Sequence, residues 1–223
     1  MNSKKIVIST LFLFAAIIAI VLLLNKEDEN VQEINAGEHP TIENQPTIGE
    51  PDATVSIVEF GDYKCPACKA WGEKIFPQLE EEFINTGKAK FSYINVLFHG
   101  EESTLAALAS ESVYKQEPES FWAFHKGVFD AQPTTQNHDD KWVTTERLLA
   151  LAKDHAPNID MEQFEKDINN KGTLNEIKID EKLVNDFKVQ FTPTIMINGV
   201  MLEDPFDYEA IVSLIEKGLE ETE

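Results

Sequence analysis

The sequence predicts an α/β fold in which one sheet is interrupted by a helical block. Three observations carry this. A strand-like run, Val55 to Phe60, is followed by a helix-like run from Lys69 to Phe83 and a second strand from Lys90 to Phe98. From Glu102 to about Phe187 the apolar period is mostly helical. Strand character then returns at Thr194–Ile197, before a closing helix.

Each element has a local reason. Pro66 fits the first helical turn, where a missing N–H costs nothing. That helix is expected to run to about Asn85 and end at Gly87. In the helical block, Leu105, Leu108, Ala109, Ser112 and Val113 form one face, and Phe121, Phe124, His125, Val128 and Phe129 form another. His125, Trp122 and Trp142 are read as packing residues. Helices from Thr145 to Lys153 and from Asp160 to Ile168 follow, the second with Asp160 as N-cap. A last helix of the block covers Thr173 to Phe187. Asn198-Gly199 is a hairpin turn signal, with Val200-Met201-Leu202 as the return strand. Pro205 to Leu219 closes the chain with Ile211, Leu214 and Ile215 on one face.

The chain has 223 residues and a net charge of −21. Lys4 and Lys5 precede Ile6 to Leu24, a stretch without a charge that is long enough to span a bilayer as a helix. No small-x-small cleavage site follows it, so an uncleaved anchor is expected rather than a signal peptide. The basic tip stays in the cytoplasm, and the rest of the chain is expected outside it. All forty acidic residues lie beyond residue 24. Such a domain repels nucleic acid, which excludes that class of partner. The expected organisation is a cytoplasmic tip and transmembrane anchor (1–24), an extracytoplasmic tether (25–52), the first part of the folded domain (53–101), a helical insertion (102–187) and its second part (188–223).

Cys65 and Cys68 are the only cysteines, spaced Cys-Pro-Ala-Cys at a strand-to-helix junction. Two thiols make no disulfide framework, and the five scattered histidines supply no zinc spacing. A redox-active disulfide is the remaining reading, and the compartment allows it to persist. Cys65 sits at the helix start, where free N–H groups and the dipole favour a thiolate. Lys64 adds a nearby positive charge. Cys68, one turn in, is expected to be more buried. Cys65 is therefore the attacking sulfur and Cys68 the resolving one.

Two further positions belong to this region. Glu59, in the strand, either faces inward beneath the cysteines as a proton relay or is an exposed strand residue. Pro193, in Thr192-Pro193-Thr194, is either cis, leaving the Thr192 backbone to pair with an extended peptide, or an ordinary trans proline at a strand start.

Together, Val58-Glu59-Phe60-Gly61-Asp62-Tyr63-Lys64-Cys65-Pro66-Ala67-Cys68, Phe121-Trp122-Ala123-Phe124-His125 and Phe191-Thr192-Pro193-Thr194 resemble the DsbA-like thiol-disulfide oxidoreductases of the thioredoxin superfamily, in particular the membrane-anchored form of Gram-positive bacilli. The likeness covers essentially the whole chain. It implies a thioredoxin fold with an inserted helical domain, a cis Pro193 and a buried Glu59. It also implies oxidation of dithiols in exported proteins and reoxidation by a DsbB-like, quinone-linked membrane partner. The bacillus relatives further suggest a structural calcium, with oxygens from Gln45, Glu111 and Asp180; without the resemblance these read as solvated polar residues. One departure is Ala67, where the best-known pattern has a histidine that stabilises the thiolate.

Two other functions compete. A reductase or isomerase of extracytoplasmic disulfides uses the same dithiol at a lower potential. An anchored peptide-binding chaperone would use the apolar surface around Thr192-Pro193. The domain is expected to be monomeric.

Overall fold

The computed structural model describes residues 38–134 and 141–221, so the apolar segment 6–24 and the linker up to residue 37 lie outside the described residues. Among the described residues, no helix is long and apolar enough to cross a membrane.

The first strand, β1 (Thr47–Ile48), lies in the segment read as tether, and it pairs antiparallel with Ser92 and Phe91 of a later strand. The carbonyl of Gln45 also accepts a hydrogen bond from the Tyr114 hydroxyl. The end of the linker is therefore part of the folded body, a role that its prolines hid.

β2 (Val55–Gly61) is followed by α1 (Pro66–Lys74). The single helix expected to Asn85 is broken at Ile75. A short turn, α2 (Phe76–Leu79), and a π-helical turn, Glu80–Ile84, complete it. Pro77 removes one backbone donor there, which is a physical cause for the break. β3 (Ala89–Asn95) then runs parallel to β2.

The helical block comprises α3 (Glu101–Gln116), a 3₁₀ turn at Pro118–Ser120, α4 (Phe121–Asp130), α5 (Thr145–His155), α6 (Met161–Asn170) and α7 (Leu174–Asp186). Asp160 caps α6 as expected, accepting from the N–H groups of Glu162 and Gln163. After the block, β4 (Thr194–Ile197) pairs antiparallel with β2, β5 (Val200–Met201) pairs with β4, and α8 (Tyr208–Glu220) closes the fold. The sheet order is β1-β3-β2-β4-β5. A parallel β-α-β half joined to an antiparallel β-β-α half, with helices inserted between them, is the thioredoxin fold with a helical insertion.

Among the described residues, two large apolar clusters and a small one around Leu108 and Ile177 hold it together. Of the large ones, one lies between the sheet and its helices, with Trp71 stacked on Phe91. The other fills the helical block and reaches Tyr63, Cys65, Cys68 and Tyr93. The cysteines thus sit where the block meets the sheet. Phe124 is fully buried and packs edge-on against Phe164, joining α4 to α6. Phe124→Ala should cost about 3–5 kcal/mol in urea unfolding of the domain; a loss below about 1 kcal/mol would show that the block packs otherwise.

Candidate active site

Cys65 caps α1 in extended backbone conformation, and Pro66 begins the helix. Its sulfur lies 3.3 Å from the carbonyl oxygen of Thr192, whose peptide bond to Pro193 is cis. The strand-leading Thr192-Pro193 is thereby brought against the nucleophile, 127 residues away in sequence. Both cysteines are free thiols and both are buried, Cys68 the more so at 1% exposure.

The two sulfurs titrate in opposite directions. Cys65 is lowered to about 6: a hydrogen bond from the Cys68 thiol outweighs the cost of partial burial, helped by the Thr192 side chain and the N–H groups of Cys68 and Ala67. Cys68 is raised well above the usual thiol range, first by burial, then by donating to Cys65 and by the nearby Glu59 carboxylate. The helix N–H groups act as the sequence suggested. Lys64 acts differently: its ammonium is 2.6 Å from Glu102 in α3, and its charge is spent there.

Glu59 faces inward. Strand alternation puts it on the same side of β2 as Ile57, the side covered by α1, and it is 3% exposed. Burial, then the Cys65 thiolate, raises its carboxyl well above the usual range. It lines a cavity of about 390 Å³ together with Cys68, His125, Lys69 and Asp130. A protonated acid with access to the resolving sulfur is what a proton relay requires.

The loop that presents Cys65 is fastened to the helical block at three consecutive residues. Asp62 is fully buried; its carboxylate accepts from the Lys64 N–H, the His99 N–H, His99 Nδ1 at 2.7 Å and the Ser103 hydroxyl at 3.0 Å. Its own N–H points at Cys68 Sγ, 3.4 Å away. The Tyr63 hydroxyl is hydrogen-bonded to His125 Nδ1 at 2.9 Å. The third contact is Lys64 with Glu102, whose other oxygen accepts from the N–H groups of Trp142 and Val143. Gln132 adds donors to the carbonyls of Tyr63 and Cys65. Sequence reading assigned no role to Asp62, His99, Ser103 or Gln132. Only Asp62, in a Gly-Asp turn before the cysteines, carried a local signal. His125 is half-buried, and desolvation of its ring lowers it to about 3, a neutral packing imidazole as expected.

Gln45, Glu111 and Asp180 also converge. Gln45 Nε2 donates to Asp180 Oδ1 at 2.7 Å, and Asn95 Nδ2 donates to both Glu111 Oε1 and Asp180 Oδ2. All three are buried, which corrects the reading of them as solvated. Burial raises both carboxyls, and Asp180 raises Glu111 further. Among the described residues, no group of three or more His, Cys, Asp or Glu side chains is arranged to hold a metal.

The Cys65 shift fixes a pH dependence. Between about pH 6 and pH 8 the folded dithiol has lost a proton that the unfolded chain still carries, so the stability of the reduced form rises with pH across that window and is lost as pH falls through 6. The melting temperature of the reduced protein should therefore gain on that of the oxidised protein from pH 6 to pH 8. The thiolate absorbance at 240 nm should titrate near 6; a midpoint near 8.5 would remove the basis for the asymmetry.

Comparisons with known proteins bear on this arrangement. Residues 41–217 match the family model described as Thioredoxin. Disulfide bond formation protein D of Bacillus subtilis is 41% identical over 195 residues, 87% of this chain and 86% of that protein. Probable disulfide bond formation protein D of Bacillus anthracis is 39% identical over 73% of this chain and 74% of that protein. Among solved structures, oxidised BdbD from Bacillus subtilis superposes with a TM-score of 0.79 at 42% identity, covering 83% of this chain and 98% of that one. Chlamydia trachomatis DsbA shares the fold, with a TM-score of 0.67 at 24% identity over 81% of this chain and 94% of that one. With its Cys-x-x-Cys pair at the start of α1, the chain belongs to the thioredoxin family and, within it, to the DsbA-like thiol-disulfide oxidoreductases.

Proposed function

We propose that this protein is a membrane-anchored thiol oxidase that introduces disulfides into exported proteins outside the cytoplasm. The opposite acidities of Cys65 and Cys68 carry the reading. An acidic Cys65 is a good leaving group and makes the reduced enzyme the comfortable state, hence the disulfide a strong oxidant. The names of the bacillus relatives point in the same direction.

The reaction begins with the Cys65–Cys68 disulfide. A substrate thiolate attacks Cys65 Sγ, the disulfide breaks, and Cys68 leaves as a thiolate that takes the proton of Glu59. A second substrate thiolate then attacks the substrate sulfur of the mixed disulfide and expels Cys65 as its stabilised thiolate. The substrate has lost two electrons and the enzyme has gained them. The backbone of Thr192, beside Cys65, would pair with an extended substrate segment, with Pro193 setting the approach. A DsbB-like membrane protein would draw the two electrons onward to quinone. Lys4, Lys5 and the apolar run 6–24 support an anchor that holds the dithiol close to such a partner.

Calcium belongs to this proposal. Glu111, Asp180 and the amide oxygen of Gln45 are hard donors, and two neighbouring buried carboxylates with raised pKa values suit a divalent cation. The ion would supply charge neutralisation between the linker end, β3 and the helical block. Calcium should raise the melting temperature relative to a chelator control, and Asp180→Asn should abolish the difference. Equal melting temperatures would remove calcium from the account.

In refolding of a reduced, unfolded substrate, Cys65→Ser should form no disulfides, and Cys68→Ser should accumulate a mixed disulfide at Cys65. Undiminished disulfide formation by Cys65→Ser would overturn the assignment.

A further inference from the structure

Two buried oxygens beneath the cysteines have no protein hydrogen-bond partner: Oε1 of Glu59 and the hydroxyl of Tyr93. Buried polar atoms are rarely left so. Their positions are related. Glu59 on β2 is directly in register with Tyr93 on β3, and both side chains lie on the face covered by α1. Both oxygens also converge on Gly61. A Cβ there would stand 2.8 Å from Glu59 Oε1 and 2.9 Å from the Tyr93 hydroxyl, and 2.5 Å from the tyrosine ring. The φ of Gly61 is not left-handed, so space is what the glycine provides. Two atoms that close to one point are no more than about 6 Å apart, a gap that side-chain rotation can close to a direct hydrogen bond.

We propose that Tyr93 is a positioning residue for proton transfer at Cys68, its hydroxyl donating to the Glu59 carboxylate when that acid is ionised. This rests on the Glu59 relay described above. When Glu59 gives its proton to the Cys68 thiolate, a carboxylate is left in a dry site. In the reverse direction, Glu59 must be ionised to take the proton of Cys68 as the enzyme disulfide re-forms. The lysines near the site among the described residues are engaged elsewhere: Lys64 by Glu102, Lys69 by Glu73 and the carbonyls of Asp130 and Gln132, and Lys126, which also lines the cavity, by Asp130. The other titratable groups facing the pair are Cys65 at the cap of α1 and Cys68 within it, Tyr63 and Asp62 from the loop, and His125 from α4, with Glu73, Glu80 and Asp130 further along the cavity. His125 is neutral and packs its ring on Tyr93 at 4.5 Å, and the rest are acids. The Tyr93 hydroxyl is the neutral donor within reach. Its proton stays on oxygen throughout; the transferred proton moves between Glu59 and Cys68.

The test uses reduced full-length protein oxidised by glutathione disulfide, where closure of the Cys65–glutathione mixed disulfide by Cys68 needs the Glu59 carboxylate. The closure rate is followed by acid quench and alkylation from pH 5 to 10. Tyr93→Phe keeps the ring and should shift the profile to higher pH and slow closure about tenfold at pH 7, as expected for losing a hydrogen bond to a charged group. Its melting temperature should not fall, because the lost hydroxyl has no partner in the resting protein. In a Glu59→Gln background, the same change should have no further effect. A wild-type pH profile in Tyr93→Phe, or a full tenfold loss in the Glu59→Gln background, would overturn the inference. A wild-type rate in Glu59→Gln alone would instead overturn the Glu59 relay on which it rests.

Discussion

One dielectric boundary organises this protein: it runs between two sulfurs a single helical turn apart. On one side, Cys65 collects hydrogen bonds from Cys68, from Thr192 and from the open N–H groups at the start of α1. On the other, Cys68 is sealed in apolar surroundings over a buried acid. Thiol-disulfide exchange between equal sulfurs has no preferred direction. Making one thiolate comfortable and the other costly gives it one. The fold supplies both halves: the helix start is generated by Pro66, and the dry floor by β2, β3 and the helical block.

That asymmetry survives only if the loop before Cys65 is held still. Asp62 and Lys64 reach the start of α3, through Ser103 and Glu102, with His99 just before it also holding Asp62, and Tyr63 reaches α4 through His125. The insertion therefore does more than cover the sheet. It fixes the turn that aims Asp62 N–H at Cys68 and places Cys65 beside Thr192. Lys64 shows how the same charge acts differently once its partner is known. From sequence it is a neighbour of the thiolate; in the fold it is a strut, and Cys65 draws its acidity from hydrogen bonds instead.

Much of this was legible in the sequence because the signals are local. Cys65-Pro66-Ala67-Cys68 after a strand, the cap at Asp160 and the turn at Asn198-Gly199 all state their structure within a few residues. Inward orientation of Glu59 was not decided there, because a strand buried on both faces loses its alternation. What stayed hidden depends on distant partners. β1 is two residues long and gains its identity from Ser92 and Phe91. His99 and Ser103 matter only because Asp62 turns toward them, and Tyr93 only because the β2–β3 register sets it beside Glu59. The meeting of Gln45, Glu111 and Asp180 spans three segments and came from the family resemblance, since nothing in their spacing announces it.

The central claim is that the reduced dithiol is the stabilised state, and the reduction potential of the Cys65–Cys68 disulfide tests it most directly. Equilibration of the protein with glutathione buffers, with thiols counted after alkylation, gives that potential. A value near or above about −120 mV, as for strongly oxidising members of this chemistry, is the result this account requires. A value near about −270 mV would mean that the acidity of Cys65 does not set the balance, and that the protein reduces its targets rather than oxidising them.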